Sequence, residues 1–222
     1  MNKLWHYFKK ISFFKTIVFN FSHLPLKEAV KFPIIISPSA VVFPCNGKIK
    51  INSEIRTGMI KIGVSDIPLF TKKLGYKTLF RLGIDGYAQF QGSFSIYNGS
   101  KISSNGQIVF GNNFRITGQS MVICENKISF GNNFLMSWGG QICDTDFHQI
   151  KINSIEKKKS APISIGDNVW LGANVYVNKG SKINDNSVVS SNTLVNKEFK
   201  KKNILIGGIP SKIICENIDW SY

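Results

Sequence analysis

The sequence between Ile163 and Val195 repeats with a period of six residues. Aliphatic residues recur at every sixth position, and a second small or β-branched residue follows four positions after most of them. An amphipathic helix would need a period near 3.6, and a simple strand a period of two. A fixed hexad is typical of a parallel β-helix, in which each hexad forms one short strand and one turn and three hexads close a coil. The two sets are Ile165, Leu171, Val177, Ile183, Val189 and Val195, and Val169, Val175, Ser181, Ser187 and Thr193.

Copies of one motif extend this repeat towards the N-terminus. They begin at Ile108, Ile128 and Ile163, so the first two lie 20 residues apart and the third follows after 35. The long interval holds either two coils or one coil and an inserted loop. We favour a loop over residues 149–162, because this segment breaks the hexad and carries four lysines that cannot fill an apolar interior. Between the copies the hexad continues at Phe110, Ile116, Val122, Phe130, Met136 and Ile142.

Asn and Gly are frequent in the repeats, as expected for coil corners that need left-handed backbone angles. We predict an all-β chain, a left-handed parallel β-helix with a helical extension and an inserted loop. The predicted boundaries are residues 1–26 for the amphipathic extension, 27–214 for the β-helix domain and 215–222 for a C-terminal tail.

The extension reads as a basic amphipathic helix, because Tyr7, Ile11, Phe14 and Val18 lie at helical spacing among lysines. Such a helix packs on the solenoid or on a sister subunit, or alternatively contacts a membrane surface through residues 1–20. No stretch in the sequence has the roughly 20 uninterrupted apolar residues of a membrane span. No signal peptide is recognisable, so the expected location is the cytoplasm, with the inner-membrane surface as an alternative.

The net charge is +15, and only three of the 28 basic residues are arginine. Nucleic-acid binders usually use arginine for base edges and phosphates, so we do not expect nucleic acid as a partner. The lysine excess indicates either an AT-rich genome or attraction of anionic substrates, phosphorylated cofactors or an acidic membrane face. The scattered cysteines (Cys45, Cys124, Cys143 and Cys215) form no Cys-x-x-Cys pair and are expected to be reduced structural residues.

His148 lies directly before the lysine-rich loop and six residues after Ile142, where an interior position would fall. In an extended segment, Asp144, Asp146 and His148 would project to the same side. A carboxylate beside an imidazole fixes its tautomer and raises its basicity, so the pair could take a proton from a hydroxyl or an amine. The alternative is a surface turn with no function.

Three segments together resemble the hexapeptide-repeat acyltransferases, and most of all the sugar O-acetyltransferases of bacterial surface-polysaccharide pathways. They are Asp-Thr-Asp-Phe-His at 144–148 with the loop that follows, Ile163 to Val175, and Gly-Ile-Pro-Ser-Lys-Ile at 208–213. The likeness covers about residues 96–214. It implies a homotrimer with clefts between subunits, acetyl-CoA lying along the coils, a sugar or glycan acceptor, and a histidine as general base.

The resemblance also assigns residues. His148 matches the base, and Asp144 and Asp146 match acidic residues that orient it or hold the acceptor. Trp138 and Gly139 could line the cleft on the acceptor side. Ser211 departs from the alanine usual in the family. The expected acetyl-CoA contacts are Trp170, Gly172, Ala173, Ser190, Ser191 and Lys212.

The implied reaction is direct transfer to a hydroxyl, with no metal and no covalent enzyme intermediate. N-acetylation of an aminosugar would use the same base, so the sequence leaves it open. A non-catalytic β-helix scaffold is a further alternative. A zinc carbonic anhydrase of this fold would need three histidine ligands, and only His148 lies in a recognisable coil.

Overall fold

Three parallel β-sheets form the faces of a triangular solenoid. The computed structural model describes residues 10–64 and 76–221. From residue 60 onward, consecutive coil strands lie on the first, second and third face in turn, interrupted by one hairpin. We call the corner between the first and second faces the first edge, that between the second and third faces the second edge, and that between the third and first faces the third edge.

The strands of each face follow one another along the solenoid axis. On the first face they are β1 (Ile34–Ile36), β3 (Ile60–Ile62), β6 (Phe94–Ile96), β9 (Phe114–Ile116), β12 (Leu135–Met136), β17 (Trp170–Leu171), β20 (Val188–Val189), β23 (Ile204–Gly207) and β24 (Lys212–Glu216). On the second face they are β4 (Leu79–Leu82), β7 (Lys101–Ser104), β10 (Met121–Cys124), β13 (Gln141–Cys143), β18 (Tyr176–Asn178) and β21 (Leu194–Val195). On the third face they are β2 (Lys48–Ile51), β5 (Tyr87–Phe90), β8 (Gln107–Phe110), β11 (Lys127–Phe130), β16 (Ile163–Ile165), β19 (Lys182–Ile183) and β22 (Glu198–Phe199).

The hexad positions predicted to point inward are buried, so the predicted repeat is confirmed. Leu171, Val177, Val189 and Val195 are completely inaccessible to solvent, and so are the intervening Val169 and Val175. The polar members Ser181, Ser187 and Thr193 are buried as well. The Ser181 hydroxyl donates to the carbonyl oxygen of Val195 at 3.1 Å, which satisfies a polar group that would otherwise be costly inside the column.

Strand register separates wide coils from narrow ones. Val122 pairs with Ile102 and Ile142, each 20 residues away, whereas Val177 pairs with Val195, 18 residues away. Ile128 pairs directly with Ile163. The 35-residue interval is therefore one coil with an insertion, as the lysine-rich segment predicted.

The wide coils are filled by two columns of phenylalanine rings that meet at the third edge. Stacked neighbours within each column have ring centroids 5.0 to 5.8 Å apart. Rings of the two columns meet edge to face or tilted, as Phe110 does with Phe114 at 4.8 Å. Such pairs add about 0.5–1.5 kcal/mol each beyond the area that they bury. The columns are Phe90, Phe110 and Phe130, and Phe94, Phe114 and Phe134.

An asparagine lies at the third edge in successive coils and takes the left-handed conformation there. The φ angles of these residues lie between 53° and 59°. The amide of Asn113 donates to Asn133 at 3.1 Å, and that of Asn168 donates to Asn186 at 3.2 Å. The expected tolerance of Asn for left-handed corners is thus confirmed. The column consists of Asn113, Asn133, Asn168, Asn186 and Asn203.

The helix α1 (Phe13–His23), followed by the short α2 (Leu26–Ala29), covers the first coil. The amide of Asn20 donates to the carbonyl oxygen of Ile34 and its oxygen accepts from the Ile34 N–H, while the Thr16 hydroxyl accepts from the Ile36 N–H. These side chains replace the coil that β1 lacks, and so they protect an open sheet edge. Among the described residues, no helix is long and apolar enough to cross a membrane.

The packing face of α1 differs from the predicted one. The helix meets the solenoid through Thr16, Phe19 and Asn20, whereas Phe14 and Val18 of the predicted apolar stripe point outward. Tyr7, which belonged to the same stripe, and His6 lie outside the described residues. The reason is the open edge of β1, which needs hydrogen-bonding side chains and not only apolar ones.

The C-terminal segment expected as a tail from residue 215 is in part a strand. β24 runs to Glu216 and pairs antiparallel with β23. The chain then turns back, and the indole N–H of Trp220 donates to the carbonyl oxygen of Asn168 at 2.8 Å.

We predict that Phe114→Ala lowers the free energy of unfolding by about 3–5 kcal/mol, because it removes a ring that stacks on both axial neighbours. Phe14→Ala serves as control, because that side chain is 75% exposed, and should change stability by no more than about 0.5 kcal/mol. Guanidinium unfolding followed by circular dichroism measures both. Equal losses for the two variants would contradict a ring-filled core.

Candidate active site

The chain leaves the solenoid at the second edge, and Asp144 lies where the next corner would begin. Asp144 follows β13 and is completely buried. Its two carboxylate oxygens accept from the backbone N–H groups of Glu125 and Asn126, at 2.7 and 2.9 Å. These amides form the corner of the preceding coil, so the carboxylate satisfies donors that a continuing coil would otherwise meet.

This arrangement corrects one expectation. Asp144, Asp146 and His148 do not project to a common side. The Asp144 carboxylate is buried against the preceding corner, the Asp146 carboxylate pairs with Lys179, and a φ of +59° at Phe147 turns the chain before His148. A positive φ is rare for a bulky residue. Such backbone strain persists where the surroundings impose it, and it is frequent at functional sites.

His148 is exposed and is oriented by main chain. Its N–H donates to the carbonyl oxygen of Asp146 at 2.7 Å, and its ring Nδ1 lies 3.3 Å from the same oxygen. Because a carbonyl oxygen only accepts hydrogen bonds, this contact requires the proton on Nδ1. The tautomer with a free lone pair on Nε2 follows, so the imidazole can accept a proton there.

The carboxylate of Asp146 faces away from the imidazole and forms an ion pair with Lys179, which lies at the second edge one coil further on. The same ammonium group donates to the carbonyl oxygen of Lys158 in the insertion. Lys179 therefore holds both ends of the insertion against the solenoid. Asp146 orients His148 through its backbone oxygen and not through its carboxylate, in contrast to the sequence-based expectation.

The insertion is a hydrogen-bonded hairpin. β14 (Lys151–Ile152) pairs antiparallel with β15 (Ile155–Glu156) through a turn at Asn153 and Ser154, both with positive φ. At the base of the hairpin, the Asp146 N–H donates to the carbonyl oxygen of Lys159 at 2.9 Å. Isoleucines project from the hairpin, so the segment has an apolar side. This side was not predicted from the sequence, where the interpretation rested on the four lysines. The exposed apolar residues on and before the hairpin are Phe147, Ile150, Ile152 and Ile155.

A strip of small and aromatic residues follows the first edge. The carbonyl oxygen of Trp138 accepts from the Asn174 N–H at 2.9 Å, and that of Ala173 accepts from the Asn192 N–H at 2.9 Å. The three corners therefore stack directly on one another. We call the small and aromatic residues of these corners the first-edge strip. It consists of the predicted Trp138, Gly139, Gly172, Ala173, Ser190 and Ser191.

Close packing against the next coil explains why the strip has glycine at two positions. A Cβ on Gly172 would lie 2.8 Å from the backbone nitrogen of Ser191 and 2.9 Å from its hydroxyl. A Cβ on Gly139, whose φ is +77°, would lie 2.2 Å from the Asn174 amide oxygen. The space beside Gly172 is thus occupied by the next coil and is not left open for a ligand. The half-buried Ala173 and the exposed Ser191 form the open part of the strip.

Trp170 lies on the first face beside the strip. Its indole N–H donates to the Ser137 hydroxyl at 3.1 Å, which turns the ring towards the first edge. The ring centroid of Trp220 lies 6.0 Å away. Trp170 is 37% exposed, so it forms a fixed apolar wall beside Ala173.

Lys212 lies near the C-terminal end of the strip. It begins β24 and pairs with Gly207, where an added Cβ would lie 3.3 Å from the Ser190 hydroxyl. The Lys212 side chain is exposed. Small residues along one edge with a cation near one end fit an elongated ligand that carries phosphate groups, as coenzyme A does.

His148 and the first-edge strip lie on different edges of one protomer. Gly140 and Asp144 flank β13 on the second face, at about 3.3 Å per residue about 13 Å apart, and His148 lies beyond Asp144. Proton transfer needs heavy atoms within about 3 Å. Within one protomer, the imidazole therefore lies outside hydrogen-bond reach of the strip.

The thiols near the site are unreactive by environment. Burial raises the pKa of Cys124 to about 12, and the charge of Asp144 adds to the shift. Burial also raises the pKa of Cys143. In residues 10–64 and 76–221, no group of three His, Cys, Asp or Glu side chains is placed to hold a metal ion.

Lys179 and Trp220 were not identified from the sequence. Lys179 belongs to a regular hexad, and only the structure brings it next to the insertion. Trp220 reaches Asn168 across 52 residues of chain. The aromatic residue in a polar C-terminal segment was the one sequence signal available.

Residues 162–197 match the family model described as bacterial transferase hexapeptide (six repeats). The fold is similar to that of the polySia-specific acetyltransferase NeuO, with a TM-score of 0.60 and 19% identity, covering 85% of this chain and 84% of that one. The predicted hexapeptide repeats and left-handed parallel β-helix are thereby confirmed. The polysialic acid O-acetyltransferase OatWY aligns with a TM-score of 0.47 and 25% identity over 85% of this chain and 87% of its own.

One curated relative is described as an uncharacterized 24.8 kDa protein in the cps region of Klebsiella pneumoniae. It is 50% identical over 88 residues, which are 40% of this chain. The chain spans about two fifths of the length of that relative, 39%.

We predict that Asp144→Ala lowers the free energy of unfolding by about 3 kcal/mol, because two buried backbone donors lose a charged acceptor. Asp146→Ala is the control, since breaking its partly exposed ion pair should cost less than about 1 kcal/mol. Urea unfolding compares the two. If Asp144→Ala is as stable as the parent protein, the carboxylate is not a structural corner.

Proposed function

We propose that this hexapeptide-repeat protein is an O-acetyltransferase that transfers the acetyl group of acetyl-CoA to a sugar hydroxyl of a surface polysaccharide or its precursor. The observation that carries the proposal is the orientation of His148, whose Nδ1 faces a carbonyl oxygen and whose Nε2 is free to accept a proton. The fold of NeuO, a polySia-specific acetyltransferase, and the relative from a cps region support the choice of a glycan acceptor.

His148 acts as the general base in this proposal. Nε2 takes the proton of the acceptor hydroxyl while its oxygen attacks the thioester carbonyl carbon, which forms a tetrahedral oxyanion. When the oxyanion collapses, the carbon–sulfur bond breaks, and the imidazolium returns its proton to the departing thiolate of coenzyme A. The carbonyl oxygen of Asp146 stabilises the imidazolium, because it accepts a hydrogen bond from the Nδ1–H group throughout the reaction.

The first-edge strip receives acetyl-CoA. Ala173 and Ser191 offer a surface without bulky side chains, Trp138 and Trp170 wall it, and Lys212 attracts the phosphates at its end. Acetyl-CoA is a cytoplasmic metabolite, so we propose a cytoplasmic protein.

The active unit is a homotrimer whose clefts are shared. His148 of one protomer faces the first-edge strip of its neighbour, since the two lie on different edges of one solenoid. The exposed apolar side of the hairpin supports this assembly, because exposed apolar patches commonly mark protein–protein contacts. Ile152 and Ile155 then pack on the neighbouring wall and close the cleft beside the imidazole.

We predict that His148→Ala lowers the turnover number for acetyl transfer by about 10²–10⁴-fold, the usual cost of removing a general base. Asp146→Asn keeps the backbone carbonyl that orients the ring and loses an ion pair worth no more than about 1 kcal/mol, so the rate should fall no more than about fivefold. The assay follows release of the coenzyme A thiol with sialic acid oligomers and with the capsular polysaccharide of the source strain as acceptors.

Thermal denaturation with and without acetyl-CoA provides the control for fold and binding. Both variants should keep the melting temperature of the parent protein and its upward shift with acetyl-CoA. A His148→Ala variant with near-parental turnover would refute the base assignment. No shift with acetyl-CoA in the parent protein would favour a non-catalytic scaffold.

A further inference from the structure

A basic groove crosses the first face over β3, β6 and β9, and β9 lies one coil before the coil from which the hairpin leaves. Its volume is about 350 Å³, within the range of about 300–1,000 Å³ that small-molecule sites occupy. Its cations are Arg56, Lys61 and Arg115, and its polar neutral groups include Ser95 and Asn113. Two of the three arginines of the chain therefore line one groove.

The register of the solenoid fixes the spacing of these cations. Lys61 of β3 pairs with Ser95 of β6, and Ser95 pairs with Arg115 of β9, so the three residues form one outward column. Neighbouring strands lie about 4.8 Å apart, which places the two cationic residues about 10 Å from each other at the backbone. The small Ser95 leaves a gap between them. Lys61 and Arg115 are both half-buried, so their side chains lie along the groove.

Arginine forms two parallel hydrogen bonds with a carboxylate, a geometry that lysine lacks. The hydroxyl of Ser95 and the amide of Asn113 can meet hydroxyl groups around such a carboxylate. Among the described residues that line the groove, none is acidic. The combination matches an acidic sugar, which has one carboxylate on a ring that carries hydroxyl groups.

We propose that the groove binds a carboxylate-bearing sugar unit of the acceptor glycan. The outward column continues from Arg115 through Leu135 to Trp170, two strand spacings or about 10 Å further along the same face. An acidic unit held at Arg115 thus leaves a neighbouring unit of the same glycan within reach of the first-edge strip. This inference rests on the proposed function only in taking the bound polymer as the acceptor.

The test uses the full chain without acetyl-CoA, so that binding is read separately from catalysis. Isothermal titration calorimetry measures hexamers of sialic acid and of galacturonic acid, each against its methyl ester, which keeps the sugar and removes the charge. Arg56→Gln and Arg115→Gln should each weaken binding of an acidic hexamer about tenfold or more, since a charge-assisted contact is lost. Arg115→Lys should recover part of the loss.

Arg81→Gln is the matched control. Arg81 is the third arginine of the chain, and it lies on β4 of the second face, where its guanidinium contacts the Ser103 hydroxyl at 3.4 Å. This variant should bind the acidic hexamer like the parent protein. Circular dichroism melting checks that every variant is folded.

Several results would overturn the proposal. If Arg81→Gln weakens binding of the acidic hexamer as much as Arg115→Gln does, the loss reflects the net charge of the protein and not the groove. If the methyl esters bind as tightly as the acids, the groove does not recognise a carboxylate. Failure of both acidic hexamers to bind would remove the site. A DNA hexanucleotide that binds as tightly and depends equally on Arg115 would assign the groove to polyanions in general. Retained binding by a protein that transfers no acetyl group would contradict the proposed function and leave the groove intact.

Discussion

Backbone hydrogen bonding between successive coils is the constraint on which the rest of this structure depends. Each strand donates to and accepts from the coils before and after it, so the chain can leave the solenoid only where another group replaces those bonds. Asp144 provides that replacement at the second edge, through two bonds to the preceding corner. The insertion returns to register so closely that Ile128 and Ile163 pair as if no residues lay between them.

The exit point also fixes the position of the imidazole. His148 follows the buried Asp144 by four residues, and the turn at Phe147 brings it back onto the carbonyl oxygen of Asp146. Lys179 then ties the two ends of the hairpin to the next coil. The solenoid thus presents one imidazole at one edge and a strip of small residues at another, which is the reason for proposing that a neighbouring protomer completes each site.

Much of the fold could be predicted from the sequence because a hexad is a local pattern with one physical meaning. The inward residues, the left-handed asparagine corners and the inserted segment all follow from spacing. The packing of α1 could not, since its apolar stripe suggested one face while the open edge of β1 demanded Thr16 and Asn20. The orientation of His148 depends on a single backbone angle at Phe147, and Lys179 reaches Asp146 across a coil, so neither could be predicted from spacing.

Subunit complementation tests the central claim, that each cleft takes His148 from one protomer and the first-edge strip from another. His148→Ala lacks the base, and Ser191→Trp blocks the strip, so each variant alone should be nearly inactive. When the two chains are co-expressed with different tags and mixed trimers are isolated, about a third of the clefts should combine an intact His148 with an intact strip, because each mixed ring has one such pair among its three. Acetyl transfer should then recover to about that fraction of the parental rate. Mixed trimers no more active than either variant alone would show that the site lies within a single protomer.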